Sequence, residues 1–180
     1  MTTRERPNFS PGDYNNLGAQ PRTELTLDGE PATLNLGRAL GEAMRERGEG
    51  FLGLVGDLGA GKTTLIKGLA EGMDIAPDEV SSPTYALVQE YGAEGELVHM
   101  DLYRLEHYDD LESLAYWDYI DRPQTLVCVE WLDRIPHAWP GQGVVVELLR
   151  QGDGRQARIF ASEAYHALVE RIGSDLNDIT

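Results

Sequence analysis

Gly56-Asp57-Leu58-Gly59-Ala60-Gly61-Lys62-Thr63-Thr64 is the segment with the most specific chemistry in the chain. It satisfies the pattern G-x-x-x-x-G-K-[ST]. Glycines let a backbone curl until several N–H groups converge on one anion, and a helix starting at the lysine adds the positive end of its dipole. In such a loop Lys62 reaches the β- and γ-phosphates of a nucleotide and the Thr63 hydroxyl ligates Mg²⁺. Thr64 supports the loop or contacts the α-phosphate. Only Lys62 and Lys67 are lysines, so a scarce residue type occupies the one position that requires it.

A phosphate loop works with an acid at the end of a neighbouring strand. Two segments fit: Leu97-Val-His-Met-Asp101 and Leu126-Val-Cys-Val-Glu130 each run apolar and end in a carboxylate. In an open α/β sheet the carboxyl ends of strands line the ligand crevice. Two such acids can divide the work, one in the metal shell and one orienting or deprotonating an attacking water. Their order along the chain leaves open which does which. Ser82-Pro83-Thr84-Tyr85 lies between the loop and these strands, where a hydroxyl of Ser82 or Thr84 could sense the γ-phosphate or Mg²⁺. A plain turn stiffened by Pro83 is the competing reading. The four histidines, His99, His107, His137 and His166, lack metal-ligand spacing and are read as no ligands. Asp109, Asp110, Glu112, Asp118 and Asp121 are read as exposed helix and loop charges.

These groups need elements to hold them. Phe51–Val55 is an apolar run of strand length entering the loop, and Lys62–Met73 leaves it with Leu65, Ile66, Leu69 and Ala70 at helical spacing. Pro31–Arg47 repeats Leu34, Leu36, Ala39, Leu40, Ala43 and Met44 at the same spacing, and Gly48–Gly50 ends it. Thr23–Leu27 reads as a short strand. Ala86–Tyr91 and Leu97–Asp101 form one hairpin; Val144–Leu149 and Ala157–Phe160 form a second around Gly152-Asp-Gly154. Thr125–Val129 is a continuous apolar strand, with Cys128 as core filler. Asp109–Ile120 reads as one helix capped by Asp109 or Asp110, with Leu111, Leu114, Ala115 and Tyr119 inward. Ser162–Ile172 reads as a last helix opened by a cap. Strands alternating with helices predict an α/β domain, and the two hairpins make its central sheet mixed.

The chain has 180 residues, 31 acidic and 15 basic side chains, and a formal charge of −16. Residues 1–22 are polar and rich in proline, and are read as a flexible leader to a single domain over 23–180. No run of 18 apolar residues and no signal-like start occur, and the single cysteine fits a reducing, cytoplasmic setting. A broad basic face for nucleic acid is excluded by this charge. The acid is concentrated: residues 71–121 hold 14 Asp/Glu and one arginine, Arg104. That stretch either serves solvation or meets a basic face of a protein partner, with Glu94, Glu96, Asp109 and Asp110 as the residues to reverse.

Taken in order, Gly56–Thr64, Ser82–Tyr85, His99-Met-Asp-Leu-Tyr-Arg104 and Val129-Glu-Trp131 resemble the TsaE (YjeE) family over about residues 25–160. The resemblance implies a P-loop NTPase-type, three-layer α/β domain with a mixed, mostly parallel sheet. It implies a Mg²⁺-dependent ATPase that works with the threonylcarbamoyl-transferase subunit TsaD and its dimerising partner TsaB in modifying tRNA, resetting that complex between rounds. By the same resemblance Ser82–Tyr85 is the first switch with Thr84 its sensor. Asp101 is the catalytic acid with Tyr103 and Arg104 beside it, Glu130 is the metal-shell acid, and Trp131 sits near the nucleotide base. Leu132 stands where many relatives have proline. A small-molecule kinase is the alternative, disfavoured because residues 71–121 offer only Arg104 as a basic clamp. A GTP-operated switch would need an Asn/Thr-Lys-x-Asp element, which two lysines do not supply.

Overall fold

The computed structural model describes residue 17, residues 20–83 and residues 85–178. Most of the expected leader, and the expected sensor Thr84, lie outside the described residues. Seven strands form one sheet: β1 (Thr23–Leu27), β2 (Gly50–Val55), β3 (Val88–Tyr91), β4 (Leu97–Asp101), β5 (Leu126–Glu130), β6 (Val144–Gln151) and β7 (Gly154–Ala161). Their order is β1-β7-β6-β2-β5-β4-β3. The centre, β6-β2-β5-β4, is parallel, whereas β7, β1 and β3 join by antiparallel pairing. The sheet is therefore mixed, with a parallel core that brings the carboxyl ends of β2, β4 and β5 to one edge. β4 and β5 are buried along their whole length, as expected for strands covered on both faces.

One face carries α1 (Gly29–Arg47), α2 (Lys62–Gly72) and α5 (His166–Asn177). Leu36, Leu40, Leu65, Leu69 and Val169 meet Leu52, Leu54, Cys128, Val146 and Ile159 there. Burial pushes the Cys128 thiol up, as befits a core filler. Gly48 closes α1 in the left-handed conformation, its N–H bonding to Met44 and Arg45 carbonyls. The two helices touch at backbone level: a Cβ on Gly37 would stand 2.1 Å from the Leu65 carbonyl oxygen, and one on Gly41 2.1 Å from that of Leu69. Gly68 and Gly72 answer from α2: a Cβ on either would stand 2.2 Å from the carbonyl oxygen of Leu34 or Arg38, respectively. This interlock fixes the helix that leaves the glycine loop.

The opposite face is covered by α3 (Asp110–Ser113), α4 (Tyr116–Ile120) and short 3-10 turns, around Met100, Val129, Leu111, Tyr116, Leu132 and Trp139. Here the expected single helix over 109–120 is corrected. Ala115 has φ of 52° and is exposed, and it separates two short helices. The break turns Tyr116 into the core, where its hydroxyl donates to the Ala138 carbonyl at 2.7 Å. The expected cap is also corrected: the Asp110 carboxylate accepts N–H bonds from Glu106 and His107, tightening the preceding turn. Those two bonds hold the Asp110 carboxyl below the usual carboxylate range. At the other end, a 3-10 turn over Glu163–Tyr165 precedes α5, and the Ser162 hydroxyl accepts from the Gly143 N–H instead of capping a helix.

Candidate functional site

The loop between β2 and α2 turns through Gly59 and Gly61 at φ of 75° and 108°, conformations that side chains resist. Its outward carbonyls are tied to the β6–β7 hairpin. Arg150 donates to the Leu58 oxygen at 3.2 Å, and Arg155 donates to those of Ala60 at 2.9 Å and Gly59 at 3.2 Å. With these carbonyls held from outside, and the Ala60 N–H bonded to the Asp57 carbonyl at 3.0 Å, the other N–H groups of the loop and of the first turn of α2 are the polar groups that could meet an anion.

Lys62 is 4% exposed and arches back over the loop, donating to Gly56 O at 2.6 Å and Asp57 O at 3.0 Å. Its Nζ also lies 3.9 Å from the centre of the Trp131 ring. Burial lowers the Lys62 ammonium from its ordinary value, while Glu130, Asp133, Asp101 and Asp57 push it the other way. Trp131 follows β5 with φ of 60°, and its ring packs 4.9 Å from that of Tyr103.

Asp101 and Glu130 end adjacent parallel strands directly opposite one another. Both are nearly inaccessible, at 2% and 3%. Asp101 Oδ1 accepts the Tyr103 N–H at 2.8 Å. Glu130 Oε1 accepts from the Thr63 hydroxyl at 3.4 Å and from His99 Nε2 at 2.8 Å. Thr63 and Glu130 thus present hard oxygen donors to one point. Among the described residues no group of three or more His, Cys, Asp or Glu forms a metal cage. One carboxylate with one hydroxyl suits Mg²⁺, which keeps waters and takes phosphate oxygens for the rest of its shell.

A cavity of about 300 Å³ joins most of the expected site: Leu58, Gly59, Gly61, Lys62, Thr63, Thr64, Ser82, Asp101, Tyr103, Glu130 and Trp131 all line it. Gly56 and Asp57 contribute through the carbonyls that hold Lys62, and Ala60 is buried behind the loop. Pro83 is buried beside the cavity wall's Ser82. Tyr85 and Arg104 do not line it; the Arg104 guanidinium stacks 4.4 Å from the ring centre of Tyr85, which is 85% exposed. Trp131, expected near a base, lies on the lysine expected at the β- and γ-phosphates.

Three residues escape the sequence reading: His99, Arg150 and Arg155. Alternation contains a signal for the first. Aligning Asp101 with Glu130 puts His99 and Glu130 on the same face of neighbouring strands. Nothing local marks the two arginines, which act across more than 90 residues.

Fold and site together define a three-layer α/β protein with a strand, glycine loop and helix at its centre. The family described as "Threonylcarbamoyl adenosine biosynthesis protein TsaE" matches residues 27–159. The chain is 43% identical over 143 residues to a tRNA threonylcarbamoyladenosine biosynthesis protein TsaE of Nostoc, covering 76% of this chain and 85% of that one. The TsaE of Bacillus subtilis is 38% identical over 125 residues, 67% of this chain and 76% of its own. A crystal structure of Bacillus subtilis YdiB superposes with a TM-score of 0.63 at 26% identity, covering 84% of this chain and 94% of that one. The chain belongs to the TsaE family.

Proposed function

We propose that this protein is a Mg²⁺-dependent ATP hydrolase of the cytoplasm that serves threonylcarbamoyladenosine biosynthesis on tRNA. Its turnover resets the TsaD transferase subunit and its dimerising partner TsaB between rounds. The observation that carries the reading is the meeting of Lys62, Thr63, Asp101 and Glu130 in one cavity at the carboxyl ends of β2, β4 and β5.

Loop N–H groups and Lys62 bind and orient the β- and γ-phosphates. Thr63 and Glu130 would hold Mg²⁺, which would supply charge neutralisation at the phosphate oxygens. Glu130 takes the metal side because its oxygen already meets the Thr63 hydroxyl. Asp101 then orients the attacking water and accepts its proton, with Tyr103 N–H fixing the carboxylate plane. Trp131 and Tyr103 screen the phosphates from bulk water. Arg104, stacked on Tyr85, is not placed to clamp a second phosphorylated substrate in the cavity, which speaks for water over a metabolite as acceptor.

The test is phosphate release from ATP by the wild type and by Lys62→Ala, each alone and with TsaD and TsaB added. Each charge-assisted bond to phosphate is worth about 1.5–3 kcal/mol, so Lys62→Ala should weaken ATP binding about a hundredfold or more. Unchanged affinity would sink the reading, as would phosphate appearing on an added metabolite instead of in water.

A further inference from the structure

His99 is fully buried in mid-strand, where an apolar side chain would satisfy the alternation of β4. Its Nε2 meets Glu130 Oε1 at 2.8 Å, while its Nδ1 is buried without a hydrogen-bond partner among the described residues. A carboxylate oxygen only accepts, so Nε2 is the donor of this bond. The geometry makes His99 Nε2 the group fixed on the Glu130 carboxylate. We propose that His99 is the positioning residue of Glu130, setting the carboxylate orientation that Thr63 and the metal ion require.

A glutamate side chain has three rotatable torsions, and Glu130 stands at the end of its strand with the cavity before it. The Thr63 contact, at 3.4 Å, is too long to fix those torsions alone. The His99 bond is the short one, and it comes from the neighbouring strand β4. Both bonds fall on Oε1, so the other carboxylate oxygen is not engaged by His99 or Thr63. Partners that orient a ligating carboxylate typically change metal affinity 10–100-fold when removed. Of the six buried polar or charged side chains among the described residues, Lys62, His99, Asp101 and Glu130 belong to this one cluster, so His99 is not a polar residue stranded in the core.

The inference rests on reading Glu130 as the metal-side acid. Its test measures binding, by calorimetry with a non-hydrolysable ATP analogue in EDTA and again in Mg²⁺. The ratio of the two affinities is the gain due to metal. His99→Leu should lose about 10–100-fold of that gain with the metal-free affinity unchanged. His99→Gln, whose amide nitrogen can reach the place of Nε2, should restore it. His99→Asn, whose shorter amide ends near the place of Nδ1, should not. A wild-type gain in His99→Leu would overturn the proposal. So would equal behaviour of the Gln and Asn variants, a comparison that stands even where the leucine variant does not fold. Parallel loss of metal-free and metal-bound affinity would reveal a merely structural histidine and also overturn it. A wild type that binds no nucleotide removes the ATPase reading and this inference with it, an outcome distinct from all the others.

Discussion

The two faces of the sheet are built on different plans. On one, α1 and α2 run 19 and 11 residues and meet backbone to backbone through four glycines. On the other, the cover consists of helices of four and five residues, 3-10 turns, and non-glycine residues in the left-handed region, Ala115 and Trp131 among them. The candidate site lies between them. One wall of the site, the glycine loop and α2, hangs on the interlocked face. Its aromatic rim, Tyr103 and Trp131, belongs to the irregular one. A grip on phosphate needs fixed N–H groups, whereas a rim that meets changing ligands can sit on short elements with few shared contacts.

The sharpest way to break this contrast is Gly41→Ala. Alanine gains about 0.5–1 kcal/mol of helix propensity, but its Cβ would stand 2.1 Å from the Leu69 carbonyl, and overpacking costs about 1–3 kcal/mol or more. Denaturant titration should show a net loss of about 2 kcal/mol. A stabilised variant would mean that the helices are free to slide. On the irregular face, Tyr116→Phe should cost about 1–2 kcal/mol, because the buried Ala138 carbonyl loses its donor. A neutral result there would make the tyrosine simple packing.

Ala115→Gly should go the other way. Releasing a left-handed alanine outweighs the added freedom of glycine in the unfolded chain, for a gain of about 0.5 kcal/mol by the same titration. The smallest effect is expected at Glu90, whose carboxyl is held below its ordinary value by hydrogen bonds from Arg122 and then Tyr119. A lowered folded value contributes stability above the ordinary glutamate pKa of about 4, and this is lost as pH falls through the folded value. Thermal melts of wild type and Glu90→Gln should therefore differ slightly at neutral pH and converge in acid. A gap that persists in acid would assign the difference to packing.

What could be read from the chain follows the range of the interactions. The glycine loop is a local pattern, and the carboxylates at Asp101 and Glu130 each end a local apolar run, so both were legible before any fold. The interlock was visible only as helical spacing; the glycines that make it a contact sit in unremarkable places. Residues 109–120 were misread because Leu111, Leu114, Ala115 and Tyr119 do recur at helical spacing. The bulk of Tyr116 and its bond to Ala138 outweigh that pattern. The link from His99 to Glu130 required the parallel register, and the arginines of the β6–β7 hairpin required the sheet order.

That order has a temporal meaning. The strand that delivers the glycine loop, β2, is flanked in the sheet by β5 and β6, both made later, and the loop's carbonyls are fastened by Arg150 and Arg155. A chain emerging from the ribosome carries the complete motif long before it has either neighbour for β2 or any clasp for the loop. A fragment ending ahead of β6 would keep the motif without β6 beside β2 and without the two arginines that hold the loop's carbonyls.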